Sequence, residues 1–197
     1  KMLFSCHTKS KWNAIYTRYS RLYKSRNSKI DKMKKMLMLF VLLFSLAVNA
    51  KGDTGVANVD FGTSYDMAIT KLKQTFGEPA MSDSAKVVFM NRLYDGVRYD
   101  KVEFYFEQEK GDCVFNQARF YIFCTNKSVA RQRLKFLSKV MGKKYEISYD
   151  EEDGGDVFYK GGTSPLGYGK LFTIFTSPMD GRWTAQLRFG PFKNVKR

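Results

Sequence analysis

The chain has 197 residues, with 34 Lys and Arg against 19 Asp and Glu, one His, three Cys, 2 Trp, 12 Tyr and 17 Phe. That length permits one domain or two small ones, and 44% apolar residues exclude a disordered chain, which lacks the means to bury a core. The formal charge of +15 suggests nucleic acid until it is located: residues 1–50 hold 11 basic residues and one acid, so the remaining 147 residues carry only +5.

Residues 1–32 carry nine Lys and Arg and one Asp among scattered Tyr and Ser. They read either as a basic arm for nucleic acid or anionic lipid, or as an upstream, non-native extension ahead of a start at Met33. The second is the expectation, because such an arm would be lost with the leader that follows it. His7, the single histidine, would go with it. From Met33 the chain reads MKKMLMLFVLLFSLAVNA. Lys34 and Lys35 make a basic start, an apolar run follows from Met36 to Phe44, and Val48-Asn49-Ala50 closes the segment with smallish residues. This is the pattern of a signal peptide over residues 33–50, and the run falls short of the roughly 20 residues of a membrane span. A buried core helix and a retained anchor are the competing readings. Export predicts a mature start at Lys51, a periplasmic or secreted location and no stable membrane span after cleavage. No Cys follows Ala50, so no lipoprotein cleavage site is evident.

Residues 51–58 are polar and contain glycine, which predicts a flexible mature N-terminus. Tyr65, Ala68, Ile69, Leu72 and Phe76 then recur with the spacing of one helix face. Thr63 with Asp66 is placed to cap that helix, and Gly77 with Pro79 to stop it. A second helix is predicted from about Ser128 to Met141, with Ala130, Leu134, Leu137 and Met141 on one stripe and Gly142 at its end. Elsewhere the period is two. Val102, Phe104 and Phe106 alternate with polar residues, as do Ala118, Phe120 and Ile122, and Trp183, Ala185, Leu187 and Phe189. Asp95-Gly96, Gly111-Asp112 and Asp180-Gly181 mark hairpin turns.

The two halves resemble each other. At an offset of 69, Val88, Phe89, Tyr99, Lys101, Phe106, Gln117, Arg119 and Phe120 fall on identical residues, eight identities in 33 positions where unrelated strands give roughly two. The helices align at an offset of 65, Leu72 on Leu137 and Gly77 on Gly142. The predicted fold is therefore α+β: two tandem α-β-β-β units, at 59–125 and 126–197, with helices packed on one face of a curved sheet.

Phe61-Gly62-Thr63-Ser64, then Ala68, Leu72 and Gly77-Glu78-Pro79, then Lys101-Val102-Glu103-Phe104-Tyr105-Phe106, resembles the small SmpA/OmlA-like bacterial envelope proteins. Duplication of such a unit is similar to the β-lactamase inhibitor protein (BLIP-like) architecture. The resemblance covers about 60 residues of each half. It implies paired units forming one long curved sheet and bears on the fold more than on function.

The chemistry is mostly excluded. Without His7 there is no Ser-His-Asp or Cys-His catalysis and no histidine-bound zinc, and no phosphate-binding glycine loop or dinucleotide fingerprint is present. Gly161-Gly162-Thr163-Ser164 is expected in a loop between strands. Asp100, Glu103 and Glu107 are the only candidates for a paired-carboxylate hydrolase, and alternation with apolar residues reads them as a solvated face. The acidic run Asp150–Asp156 lacks the ligand spacing of a helix–loop–helix calcium site, so a solvated hairpin is expected. No catalytic residue, metal or cofactor is assigned, and nucleic acid is not the expected partner. Cys113 and Cys124, although even in number after export, would sit at the ends of one strand and are predicted to be unbridged.

The expectation is an exported, non-enzymatic binding or inhibitor-like module acting on another envelope or extracellular protein. An envelope assembly subunit and, less strongly, a carboxylate-based hydrolase are its rivals. With Ala118, Phe120, Leu187 and Phe189 inward, the candidate binding face is Tyr105, Gln117, Arg119, Tyr121, Gln186 and Arg188. The competing reading pairs the repeated Gln and Arg across strands within the sheet.

Overall fold

A computed structural model describes residues 54–151 and 156–195. The segment 1–32, the signal reading at 33–50, Lys51 and residues 152–155 of the acidic run lie outside the described residues. Strands β1 (Gly55–Val56) and β2 (Val59–Asp60) form a small ribbon, followed by α1 (Tyr65–Phe76). Next come β3 (Met81–Ser82), β4 (Lys86–Tyr94), β5 (Val97–Glu109) and β6 (Asp112–Cys124), then α2 (Lys127–Met141). Strands β7 (Ile147–Glu151), β8 (Val157–Thr163), β9 (Lys170–Met179) and β10 (Arg182–Phe189) complete the chain.

The prediction of two tandem α-β-β-β units is corrected. The described residues are mostly β, with one eight-stranded antiparallel sheet in the order β3-β4-β5-β6-β10-β9-β8-β7, a separate two-stranded ribbon and two helices. Four strands follow each helix, and β6 pairs directly with β10, so hydrogen bonding runs through the centre of the sheet. The physical reason is that β6 and β10, apolar on one face and polar on the other, each need a partner on both edges. The β3 strand escaped the sequence reading because two residues carry no periodicity.

The helices form where the apolar stripe fell. Ala68, Leu72 and Phe76 of α1, and Ala130, Leu134, Leu137 and Met141 of α2, are buried. Thr63 is not the cap of α1: its carbonyl receives the Phe115 amide, and Ser64 holds the N-cap position without a side-chain bond. Asn126 caps α2 by accepting the Val129 amide at 3.0 Å. The hairpin turns at Asp95-Gly96, Lys110-Gly111 (one residue ahead of the predicted Gly111-Asp112, since Asp112 already pairs with Glu109) and Asp180-Gly181 all have two positive φ angles, the geometry that matches strand twist. Gly161 and Gly162 lie inside β8 rather than in a loop. A Cβ on Gly161 would meet the Phe172 ring at 2.5 Å, so only glycine lets β8 approach β9 there.

The covered face of the sheet is aromatic. Phe120 is fully buried, with its ring 4.8 Å from Tyr94, 5.0 Å from Tyr99 and 6.0 Å from Phe189. Phe61 stacks on Phe115 at 4.8 Å and meets Phe192 edge-on at 4.7 Å, tying the ribbon and the C-terminal segment to the same core. Cys113 and Cys124 stand at opposite ends of β6 with free thiols, about 36 Å apart for an extended strand. No helix among the described residues is long and apolar enough to cross a membrane. Phe120→Ala is expected to cost about 3–5 kcal/mol of unfolding free energy and lower Tm by roughly 10–15 °C, read by thermal and urea denaturation. Phe136→Ala, at an exposed helix position, should cost under about 1 kcal/mol.

Candidate functional site

The face away from the helices is organised by rows that cross the sheet. One row runs Val88, Glu103, Arg119, Arg188, Thr173, Lys160 and Ser148, each the cross-strand partner of the next. A neighbouring row runs Met90, Lys101, Tyr121, Gln186 and Phe175. Alternation forces this arrangement: with Phe104, Phe120, Leu187 and Ile174 committed to the core, their neighbours face the other way.

Tyr105, Gln117, Arg119, Tyr121, Gln186 and Arg188 do share this face, but they are not equally presented. Tyr121, Gln117 and Gln186 are buried at 2%, 6% and 6% exposure, and Tyr105, Arg119 and Arg188 are half-buried. Arg119 Nε donates to Gln117 Oε1 at 3.0 Å, and its guanidinium lies 4.9 Å from the Tyr105 ring centre. Gln186 Nε2 donates to Thr184 Oγ1 at 2.7 Å. The amides are therefore internal partners, and the arginines are the groups left to meet a ligand.

Sequence reading placed Glu103 on a solvated face, and the structure overturns that. Glu103 is 3% exposed. Its carboxylate accepts hydrogen bonds from the hydroxyls of Tyr105 and Tyr121, pairs with Lys101 Nζ at 2.7 Å and has Lys86 Nζ at 3.7 Å. Burial pushes its pKa up, but the bonds from Lys101, Tyr105 and Tyr121 together outweigh burial and hold it below the ordinary carboxylate range. The tyrosines respond in the opposite sense. Burial and then the Glu103 carboxylate push Tyr105 up to about 12, and the same causes raise Tyr121 further. The match of Lys86, Lys101 and two Tyr around one acid is visible only once strand register is known, so the sequence by itself held no signal for it.

The second half of the row differs. Arg188 stands opposite Arg119, and its guanidinium lies 5.1 Å from the Phe175 ring. Its Nε is buried without an acceptor among the described residues. Burial and the neighbouring Arg119 charge lower its pKa. Arg188 lines an open cleft of about 450 Å³ with Val157, Phe158, Thr173, Phe175 and Ser177. The one acid among the described residues that line this cleft, Asp156, is already held by Lys127 at 2.8 Å and Arg131 at 2.7 Å.

Register also refines the internal repeat. On β6 and β10 the offset of 69 holds, Arg119 on Arg188. On β5 and β9 it becomes 70, because Glu103 faces Arg119 and Thr173 faces Arg188. Tyr105 then corresponds to Phe175, and both rings lie against their arginine.

The other two carboxylates of the hydrolase reading are engaged within the protein. Asp100 accepts the Phe123 amide at 2.7 Å, and Glu107 accepts from Asn116 at 2.7 Å and pairs with Lys193. Asp150 pairs with Lys160 at 3.0 Å, and among the described residues no group of acids or cysteines is placed to hold a metal ion. No protein-family model, curated protein or solved structure matches the chain.

Glu103→Ala should cost about 3 kcal/mol, because it strands two tyrosine hydroxyls and Lys101. Since the folded pKa of Glu103 is depressed, its contribution is fully present above the unfolded value near 4.5 and is lost as pH falls through the lower folded value. Urea unfolding should therefore separate the wild type from Glu103→Gln at pH 7 and bring them together in strong acid.

Proposed function

We propose that this chain is an exported, non-enzymatic binding module that engages another envelope or extracellular protein through the open face of its sheet. The observation that carries the reading is Arg188, a half-buried arginine that lines an open cleft and whose Nε finds no acceptor among the described residues. Buried donors are ordinarily satisfied; Arg92 Nε is left over as well, but of the two arginines only Arg188 lines the cleft, where its terminal guanidinium nitrogens can meet a ligand. Arginines held against aromatic rings are also common anchors of protein interfaces.

Two further features support a binder over an enzyme. The carboxylate with the most buried setting, Glu103, is held ionised by four neighbours and is a poor proton donor at neutral pH. The cysteine thiols of Cys113 and Cys124 have raised pKa values through burial, which leaves them weak nucleophiles. The likeness to envelope proteins and the leader pattern at 33–50 support export.

Expression in a secreting host should yield a product that begins at Lys51, established by intact mass. A membrane-retained product keeping residues 33–50 would replace export with anchoring. Arg119→Ala with Arg188→Ala should weaken partner capture by about tenfold or more and leave Tm within a few degrees. If instead stability collapses while the surviving folded fraction captures its partner normally, the two arginines are structural and the surface lies elsewhere.

A further inference from the structure

We propose that Arg188 receives the carboxylate of an Asp or Glu side chain presented by an acidic segment of a partner protein. This rests on the open face being the binding surface. The two halves of the sheet carry the argument. In the first half, the position opposite Arg119 is Glu103 and the ring beneath the arginine is Tyr105. In the second half, the equivalent positions are Thr173 and Phe175, both uncharged. Along the row the charges read negative at Glu103, positive at Arg119, positive at Arg188 and, past the uncharged Thr173, positive at Lys160, which is paired with Asp150. A carboxylate seated at Thr173 restores the alternation that the first half builds from its own chain.

The cleft fits that group in shape as well as charge. The Phe175 ring lies 5.1 Å from the guanidinium centre, and the terminal nitrogens of a guanidinium form a planar donor fork for a two-oxygen acceptor. The Thr173 hydroxyl adds a donor, and Val157 and Phe158 offer apolar wall to the methylene stem of an acidic side chain. Asp156 does not compete for Arg188, because Lys127 and Arg131 occupy both its oxygens. A free anion gains little at one half-exposed arginine against water, so neighbouring peptide contacts are needed for affinity. A phosphate dianion finds one uncommitted cation here and an acid at the rim, which favours the singly charged carboxylate.

The test follows the arginine side-chain Nε–Hε resonances of the labelled protein during titration. The probes are a blocked alanine-based peptide carrying one Glu, its Gln counterpart, acetate and inorganic phosphate. The Glu peptide should shift the Arg188 resonance saturably, with the Gln peptide and acetate weaker by about tenfold or more and phosphate no tighter than the Glu peptide. Arg188→Lys keeps the charge and loses the fork, and should weaken the Glu peptide by about tenfold. Phe158→Ala, on the cleft wall, should weaken it several-fold without disturbing the arginine. Equal binding of the Gln peptide, tighter binding of phosphate, acetate matching the peptide, or affinity unchanged in Arg188→Lys would each overturn the assignment. Should the Glu peptide fail while Arg119→Ala with Arg188→Ala still abolishes partner capture, the carboxylate assignment falls and the open-face reading stands. Glu-peptide binding at Arg188 with capture indifferent to both substitutions keeps the carboxylate site and removes the open face as the partner surface.

Discussion

The pairing of β6 with β10 is the constraint on which the rest depends. Seven consecutive residue pairs, from Trp183 with Cys124 to Phe189 with Ala118, join the two halves into one sheet. Because successive side chains point to opposite faces, this single register does two things at once. It buries Phe120, Leu187 and Phe189 beneath the helices, and it sets Arg119 beside Arg188 on the other side. A slip of one residue would put both arginines into the aromatic core and the phenylalanines into water. The cost of that exchange fixes the register, so the close approach of two like charges is a consequence of core packing.

Like charges directly opposite one another destabilise a sheet by a few tenths to about 1 kcal/mol. The first half offsets this from its own residues. Arg119 has Gln117 as acceptor and the Tyr105 ring as a flat support, and Glu103 stands opposite it on β5. Glu103 in turn is satisfied by two hydroxyls and two ammonium groups, which is what a buried carboxylate requires. Arg188 has the aromatic support without the acceptor or the acid. The sheet thus contains one closed electrostatic network and one open one, built on corresponding positions.

Much of the local structure was legible because it is periodic. The stripe Ala68, Leu72 and Phe76 and the stripe Ala130, Leu134, Leu137 and Met141 are buried, and the apolar alternation on β5, β6 and β10 faces the core. What periodicity does not encode was missed. Strand β3 is two residues long, Gly161 looks like a loop residue until the Phe172 ring is seen in the place of its Cβ, and the cap role given to Thr63 went to Ser64. The larger error was to give each helix three following strands where the structure has four, because the outer strands β3 and β7 are short and mostly exposed. Glu103 was misread for a related reason. Alternation gives the side of the sheet a residue faces, whereas burial on that side depends on cross-strand neighbours such as Lys86, Tyr105 and Tyr121.

That distinction between facing and exposure bears on how the open face works. A sheet face lined by long side chains can be nearly closed to water without a covering layer, because Lys, Tyr and Arg lie across one another's apolar parts. On the first half this has happened, and Tyr121 and Gln117 are shut in by their neighbours. On the second half, where Thr173 stands in place of Glu103, the side chains are too short to close over Arg188, and a cleft remains. Replacing an acid by a threonine therefore removes a charge and opens space at the same position. Sequences ordinarily satisfy local rules throughout and break them where function requires it. Here the broken rule and the open space coincide at Arg188, which is why the second half, and not the better-ordered network of the first, is the place to look for a ligand.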